Sequence, residues 1–221
     1  MHDLSTTDEI LAEMRTLANP SARQGMERFG IQAENLIGLS VPQIRLIARR
    51  TARSQRLAEE LWNTEIHDAR LLASLVADPD TISEAIMDKW VRETNSWDVC
   101  DSCSGNLFDK SPHAWKKIRQ WAGDDREFIR RAAFATIAGI AVHDKSAPDS
   151  VFMKALPLIE KYSFDDRNFA RKGINWALRS IGKRNLALRK AAIACAERVR
   201  DQGTKASRWI GTDALRELKQ R

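Results

Sequence analysis

Apolar residues recur at intervals of three and four along almost the whole chain, which is the spacing that puts them on one side of an α-helix. This pattern predicts an all-α protein. Helix-favouring Leu, Ala, Arg, Glu and Ile are abundant, whereas Gly and Pro number only 10 and 6. The predicted helices span residues 6–18, 20–29, 41–52, 54–63, 66–78, 81–93, 96–108, 112–122, 126–142, 149–161, 167–182, 185–200 and 205–219.

The connections between the predicted helices are mostly short, so neighbouring helices are expected to pack antiparallel. Helix pairs recur about every 30–40 residues, a period typical of a HEAT-type α-solenoid in which each pair buries its apolar face against the next. A globular helical bundle is the alternative that the pattern leaves open. No linker divides the chain, and we predict a single domain over residues 1–221.

The predicted helix 167–182 has two different faces. Its apolar stripe, suited to a core, consists of Phe169, Ala170, Gly173, Ile174, Ala177, Leu178 and Ile181. Beside it lies a second stripe with three cations and one indole, consisting of Lys172, Trp176, Arg179 and Lys183. A core has no need of such a stripe, so we expect it to serve binding.

Positive charge is concentrated in the same part of the chain. The net charge is +6, and the pI is near 9.4. The stretch 167–190 contains no Asp or Glu, and its cations are Arg167, Arg171, Lys172, Arg179, Lys183, Arg184, Arg189 and Lys190. A cationic face with an embedded indole suits a phosphate backbone and a flat or sugar-like target. The plainer alternative is a solvated charged face.

A second candidate site lies on the predicted helix 96–108. Trp97 and Asp101 are four residues apart and therefore share one helix face. A Trp in a helical protein is more often part of the core than of a site, and a helical Asp is often solvated or a capping group. The pair is therefore a candidate whose meaning depends on what surrounds it.

The predicted helix 126–142 adds a guanidinium. We expect Arg131 to be an exposed cation next to a flat surface of alanines, although it could instead form an ion pair with Glu127 one turn earlier. If this helix alternates with 96–108 and 167–182 in a solenoid, the exposed faces of all three converge on one groove.

Two indoles, a carboxylate and a guanidinium suit one particular chemistry. A glycosidic bond breaks through a positively charged, oxocarbenium-like sugar, which a nearby carboxylate stabilises. Indole faces attract cations, and a guanidinium can clamp a phosphate with two parallel hydrogen bonds. A base made cationic by alkylation is a good leaving group, so a single carboxylate could suffice.

The sequence around these residues resembles the bacterial DNA alkylation repair glycosylases of the AlkD family. The most specific matching segments are Ser96–Asp101, Arg131–Ala133 and Lys172–Arg179. Further similar segments are Met26–Ile31, Gly38–Pro42, Leu61–Trp62 and His67–Arg70. The resemblance covers most of the chain, from about residue 22 to residue 200.

The resemblance implies a right-handed superhelix of HEAT-like repeats whose concave, basic groove holds duplex DNA. It also implies excision of cationic N3- and N7-alkylated purines without extrusion of the lesion, unlike the usual glycosylase mechanism. Carried over to this chain, Asp101 is the catalytic carboxylate, and Trp97 and Trp176 pack against the deoxyribose of the lesion. Arg131 binds phosphate near the lesion.

The chain departs from the family pattern at one position. Active members often carry two consecutive Trp residues before the Asp, and Ser96 replaces the first of them here. Relatives in this superfamily have lost base excision while keeping the fold. The choice between Arg130 and Arg131 depends on register, and the Ala-Ala-Phe that follows Arg131 fits the family pattern better.

Other chemistries find little support in the sequence. Cys100 and Cys103 form a CxxC without the βαβ setting of a redox motif, and a zinc site needs more ligands at regular spacing. We expect both cysteines to pack as small hydrophobic residues. No phosphate-binding glycine motif is present, so no cofactor or metal is predicted. The polar N-terminus lacks a signal-peptide pattern, and we expect a cytoplasmic protein.

The predicted function is therefore a monomeric, cofactor-free DNA glycosylase that removes alkylated purines from double-stranded DNA. Its predicted DNA-binding residues are Arg131, Lys172, Arg179, Lys183 and Arg184. The first alternative is a non-catalytic protein of the same fold that binds damaged or branched nucleic acid. The second is a HEAT-type scaffold for protein interactions, which the charge of residues 167–190 disfavours.

Overall fold

The computed structural model describes residues 4–31 and 35–220. Its helices are α1 (Thr7–Thr16), α2 (Ala22–Arg28), α3 (Val41–Arg49), α4 (Gln55–Asn63), α5 (His67–Val76), α6 (Glu84–Glu93), α7 (Trp97–Asn106), α8 (Ala114–Ala122), α9 (Glu127–His143), α10 (Asp149–Tyr162), α11 (Asn168–Gly182), α12 (Leu186–Asp201) and α13 (Lys205–Lys219). Each corresponds to a predicted helix, and within the described ranges the β-type pairing is an isolated bridge between Leu4 and Thr51.

Local chemistry explains where the predicted ends were wrong. α6 begins at Glu84 because the hydroxyl of Ser83 caps it by accepting a hydrogen bond from the backbone N–H of Ile86. α7 ends at Asn106 because Leu107 leaves the helical conformation, and a short 3-10 turn follows at Phe108–Lys110. The apolar pattern extends beyond the first residue of α6 and beyond the last residue of α7, so spacing alone overestimated the length of both helices.

The chain forms two compact units, Met1–Pro112 (unit 1) and His113–Arg221 (unit 2). Unit 1 contains α1–α7, and α5 packs against α3, α4 and α7. Unit 2 contains α8–α13, and α9 packs against α8 and α11 while α13 packs against α11 and α12. No helix in the described part of the chain is long and apolar enough to cross a membrane.

Several hydrogen bonds between helices share one sequence separation within each unit. In unit 1, the side-chain hydrogen bonds from Trp62 to Glu93 and from His67 to Asp98 both join residues 31 apart. In unit 2, three such bonds join residues 38 apart, in the pairs Arg131–Phe169, Asn175–Asp213 and Arg179–Glu217. Helix pairs therefore stack with the period that the sequence predicts.

Candidate functional site

The predicted carboxylate and its indole lie together at the start of α7 in unit 1. Ser96 occupies the N-cap position, so Trp97 is the first helical residue and Asp101 follows one turn later on the same face. Both side chains are half-buried. The indole Nε1 of Trp97 donates a hydrogen bond of 3.0 Å to the backbone carbonyl of Phe29, which fixes the orientation of the ring.

Trp97 and Asp101 line one pocket of about 300 Å³, enclosed by α3, α5 and α7. Its apolar lining comes from Val41, Ile44, Leu71 and Leu75, and its polar lining from Arg45, Asp98, Asp101, Ser102 and Asn106. Ser96 is fully buried and is not part of this lining. The replacement of the family's first Trp therefore changes a position inside the protein and leaves the pocket wall with its indole.

A buried histidine forms a hydrogen bond with one of the carboxylates that line the pocket. Nε2 of His67, at the start of α5, donates to Oδ2 of Asp98 over 2.8 Å, and the backbone N–H of Val99 donates to Oδ1. Burial by itself would raise the pKa of Asp98, but its hydrogen bond with His67 and the attraction between the two groups bring that pKa below its ordinary value. Asp98 is therefore a second, ionised carboxylate in the wall of the pocket, which sequence reasoning missed.

Sequence reasoning also missed the arginines of α3. Arg45 lines the pocket, and Arg49 lies one turn further along the same helix face. Both are exposed, and neither forms an ion pair or hydrogen bond within the described part of the chain. We call these two residues the α3 arginine face. The signal was present in the sequence, because residues 35–58 contain five arginines and no Asp or Glu.

In unit 2, the predicted cations of α11 differ in their surroundings. Lys172 is exposed and has no partner among the described residues, and Trp176 is half-buried. Arg179 and Lys183 both pair with Glu217 of α13, which Arg179 meets at 2.5 Å. We call Lys172, Arg179 and Lys183 the α11 basic stripe.

The carboxylates of α13 reduce the net charge of this stripe. Asp213 and Glu217 are one helical turn apart and face α11, where Asp213 also accepts a hydrogen bond of 2.7 Å from Asn175. Hydrogen bonds from Lys183 and Arg179 outweigh partial burial and lower the pKa of Glu217. Glu217 therefore stays ionised, and Arg179 and Lys183 are paired although residues 167–190 contain no acids.

The expectation that Arg131 is exposed was wrong. Every residue from 129 to 141 is buried, because α8 and α11 both pack against α9. The stem of Arg131 lies against Gly173, where an added Cβ would come within 3.3 Å of it. Nη1 donates to the backbone carbonyl of Phe169 over 2.8 Å, and the guanidinium lies 6.0 Å from that ring. The expected flat surface beside it is also wrong, since Ala135 and Ala138 are fully buried.

The neighbouring arginine gives no exposed alternative. Arg130 is buried and forms an ion pair with Asp165, and its guanidinium also lies 5.1 Å from the ring of Tyr162. Arg184, a predicted DNA contact, is occupied as well. Its guanidinium donates to the carbonyls of Ala141, Asp144 and Ala147 and lies 4.3 Å from the ring of Phe152. Through these hydrogen bonds, Arg184 stabilises the connection between α9 and α10.

The two cysteines of the CxxC are buried, as expected, and so is Cys195. Cys100, Cys103 and Cys195 are free thiols and are buried. Burial raises the pKa of Cys103 far above its ordinary value and that of Cys195 to about 12, so both stay protonated near neutral pH. In the described ranges, no group of three or more His, Cys, Asp or Glu residues is placed to hold a metal ion.

The predicted set is thus divided between the units, with Trp97 and Asp101 in unit 1 and Arg131 and Trp176 in unit 2. Within unit 1 the structure brings the predicted pair together around one pocket. In unit 2, Lys172 and Trp176 lie on α11 beside the paired Arg179, whereas Arg131 is enclosed. The use of all these residues in a single site stays a prediction.

Comparisons with known proteins agree with this fold. A solved structure described as belonging to "a new family of proteins related to the HEAT-like repeat DNA glycosylases with affinity for branched DNA structures" is similar with a TM-score of 0.78 and 19% identity. The match covers 96% of this chain and 95% of that one, and it confirms the predicted fold class, all-α with HEAT-like helix pairs. No curated protein matches the chain significantly.

The family model described as "DNA alkylation repair enzyme" matches residues 10–218, nearly the whole chain. The matched region includes the pocket of unit 1 and the α11 basic stripe of unit 2. The chain therefore belongs to the DNA alkylation repair enzyme family.

Proposed function

We propose that this protein is a DNA glycosylase that excises cationic N3- and N7-alkylated purines from double-stranded DNA. The observation that carries the proposal is the pocket of unit 1, where an oriented indole and Asp101 share one wall. Membership of the DNA alkylation repair enzyme family supports it. Asp98 adds a second negative charge to the same wall.

The proposed reaction is hydrolysis of the bond between C1′ of the deoxyribose and the purine nitrogen. The bonding electron pair leaves with the purine, whose positive charge is thereby neutralised, so no general acid is needed. The sugar becomes an oxocarbenium-like cation, which the carboxylate of Asp101 stabilises electrostatically. Water then adds to C1′ and loses a proton, leaving an abasic site and the free base.

The other residues would bind and orient the DNA. Trp97 and Trp176 would pack against the deoxyribose, where an indole face favours developing positive charge. Lys172 is the most accessible phosphate ligand of the α11 basic stripe. Arg131 would act by supporting the backbone carbonyl of Phe169 at the start of α11, because its guanidinium is enclosed. We propose that the protein acts as a cytoplasmic monomer without a cofactor.

A second candidate function is binding of branched or damaged DNA without excision. One observation favours it: the structurally similar protein is described by its affinity for branched DNA. The departure at Ser96 from the tandem Trp of active relatives is compatible with it. This candidate shares the DNA-binding surfaces with the first and differs in leaving Asp101 without a chemical role.

Release of 7-methylguanine from methylated duplex DNA distinguishes the two. We expect wild-type protein to release the base and Asp101→Asn to lower the single-turnover rate by about 100-fold or more, as when a charge-stabilising group is removed from an active site. DNA affinity should be retained. The matched control is Asp80→Asn, an equal change of charge at an exposed residue outside the pocket.

Three results would decide against the proposal. No release by wild-type protein that binds DNA favours the non-catalytic function. Release by Asp101→Asn at the wild-type rate removes Asp101 from the chemistry. An equal loss in Asp80→Asn would show that the rate responds to net charge rather than to a carboxylate in the pocket.

A further inference from the structure

The arginines around α3 differ in how they are held. Arg50 forms an ion pair with Glu13 at 2.5 Å, and Arg56 pairs with Glu60 one turn later at 3.0 Å. Arg45 and Arg49 have no such carboxylate among the described residues. The α3 arginine face therefore presents to solvent two guanidinium groups that form no ion pair in the described ranges, whereas Glu13 and Glu60, outside this stretch, pair with other arginines.

The position of this face links it to the pocket. Val41, Arg45 and Arg49 follow one another at four-residue spacing, and the first two line the pocket that contains Asp101. The opposite side of α3 is anchored in the core by Ile44 and Ile47, which are almost completely buried. α3 thus places Arg45 at the edge of the pocket and Arg49 one turn beyond it.

The spacing of the two arginines suits a nucleic-acid backbone. Arg45 and Arg49 are one turn apart on one side of α3, about 6 Å along its axis, so both guanidinium groups can reach the same phosphodiester strand. Guanidinium groups bind phosphate oxygens through paired, charge-assisted hydrogen bonds. Two exposed guanidinium groups at this distance can contact two phosphates of the same strand.

We propose that the α3 arginine face binds the phosphate backbone of the DNA strand whose lesion faces the pocket of unit 1. This inference rests on the proposed glycosylase function for the meaning of the pocket, but the binding surface itself does not require excision. Phosphate binding by this face holds the strand at the edge of the pocket, so that a deoxyribose of the same strand lies beside Asp101. Duplex DNA is the partner, recognised through charge rather than base sequence.

The test is duplex binding by the double variant Arg45→Gln/Arg49→Gln over a series of salt concentrations, with undamaged DNA as the probe. We expect affinity at low salt to fall by at least about tenfold, and the slope of log affinity against log salt to decrease by about 2. Arg56→Gln is the matched control, because its side chain is 82% exposed but already paired with Glu60. Arg45→Lys/Arg49→Lys keeps both charges and should keep the slope.

The outcomes separate this inference from the proposed function. An unchanged slope in the double Gln variant, or an equal loss in Arg56→Gln, overturns the inference even if wild-type protein releases 7-methylguanine. A reduced slope with no base release by wild-type protein supports the inference and contradicts the glycosylase proposal. Thermal unfolding of each variant checks the fold, and a retained slope in the Lys variant identifies charge as the cause of the loss.

Discussion

The α3 arginine face and the α11 basic stripe come from similar stretches of sequence and have different surroundings. Each lies in a stretch of more than twenty residues without Asp or Glu. In unit 2, α13 places Asp213 and Glu217 against the stripe, where they pair with Arg179 and Lys183. In unit 1, no carboxylate in the described ranges pairs with Arg45 or Arg49.

The difference shows that the net charge of a stretch of sequence is a poor measure of the net charge around the same residues in the folded protein. The partner of Arg179 lies 38 residues later, at the separation that joins stacked helices in unit 2. A repeat period, once known, therefore identifies carboxylates that a sequence window cannot include. The period also explains why Arg179 is paired although residues 167–190 contain no Asp or Glu.

The largest effect that we expect follows from the buried arginines of unit 2, which stabilise the fold in contrast to those of the α3 arginine face. Asp165 is buried and pairs with Arg130 and Arg167. Asp165→Asn removes the buried charge partner of Arg130 and leaves that guanidinium only the exposed Asp125 at 3.6 Å. We therefore expect it to lower the free energy of unfolding by about 3–5 kcal/mol. Arg45→Gln should stay within about 0.5 kcal/mol. Urea unfolding measures both, and similar values for the two variants would contradict the contrast.

The carboxylate of Asp165 also makes the effect of Asp165→Asn on the free energy of unfolding depend on pH. Burial by itself would raise the pKa of Asp165, but hydrogen bonds from Arg167 and Arg130 hold it below its ordinary value. A lowered native pKa means that the stabilisation is complete above the unfolded-state pKa of about 3.9 and is lost as pH falls through the native pKa. Asp165→Asn should therefore lose less stability than wild type on acidification.

A smaller effect is expected from releasing the cations of the α11 basic stripe. Glu217→Gln removes the charge that holds Arg179 and Lys183, so we expect DNA affinity to rise by a few-fold and the salt dependence to steepen by up to about 0.9, the value of one additional phosphate contact. Glu197→Gln is the control, because Glu197 pairs with Lys219 instead. A fall in affinity would mean that Glu217 orients the two cations for DNA rather than competing with it.

Much of the fold could be predicted from the sequence. The three- and four-residue spacing of apolar positions identified each helix of the described ranges, because most of these helices bury an apolar side. The ends were less accurate where a cap such as that of Ser83 or a backbone turn at Leu107 decided them.

The candidate site was only partly predictable. Trp97 and Asp101 share a helix turn, so their proximity follows from local geometry. The burial and contacts of Arg131 and Arg184 are set by packing between helices, and the residue pattern within one helix does not contain that information. Arg131 was assigned to an exposed face because α9 looks two-sided in sequence, whereas helices pack on both of its sides. The arginines of α3 were overlooked in favour of a more conspicuous stretch.

The most direct test compares the salt dependence of duplex binding by Arg45→Gln/Arg49→Gln and by Arg179→Gln/Lys183→Gln under identical conditions. We expect the slope to decrease by about 2 for the α3 pair and by less than about 1 for the α11 pair, because Glu217 already compensates the α11 cations. Equal decreases, or a larger decrease for the α11 pair, would contradict the account and return DNA binding to the stretch that the sequence first indicated.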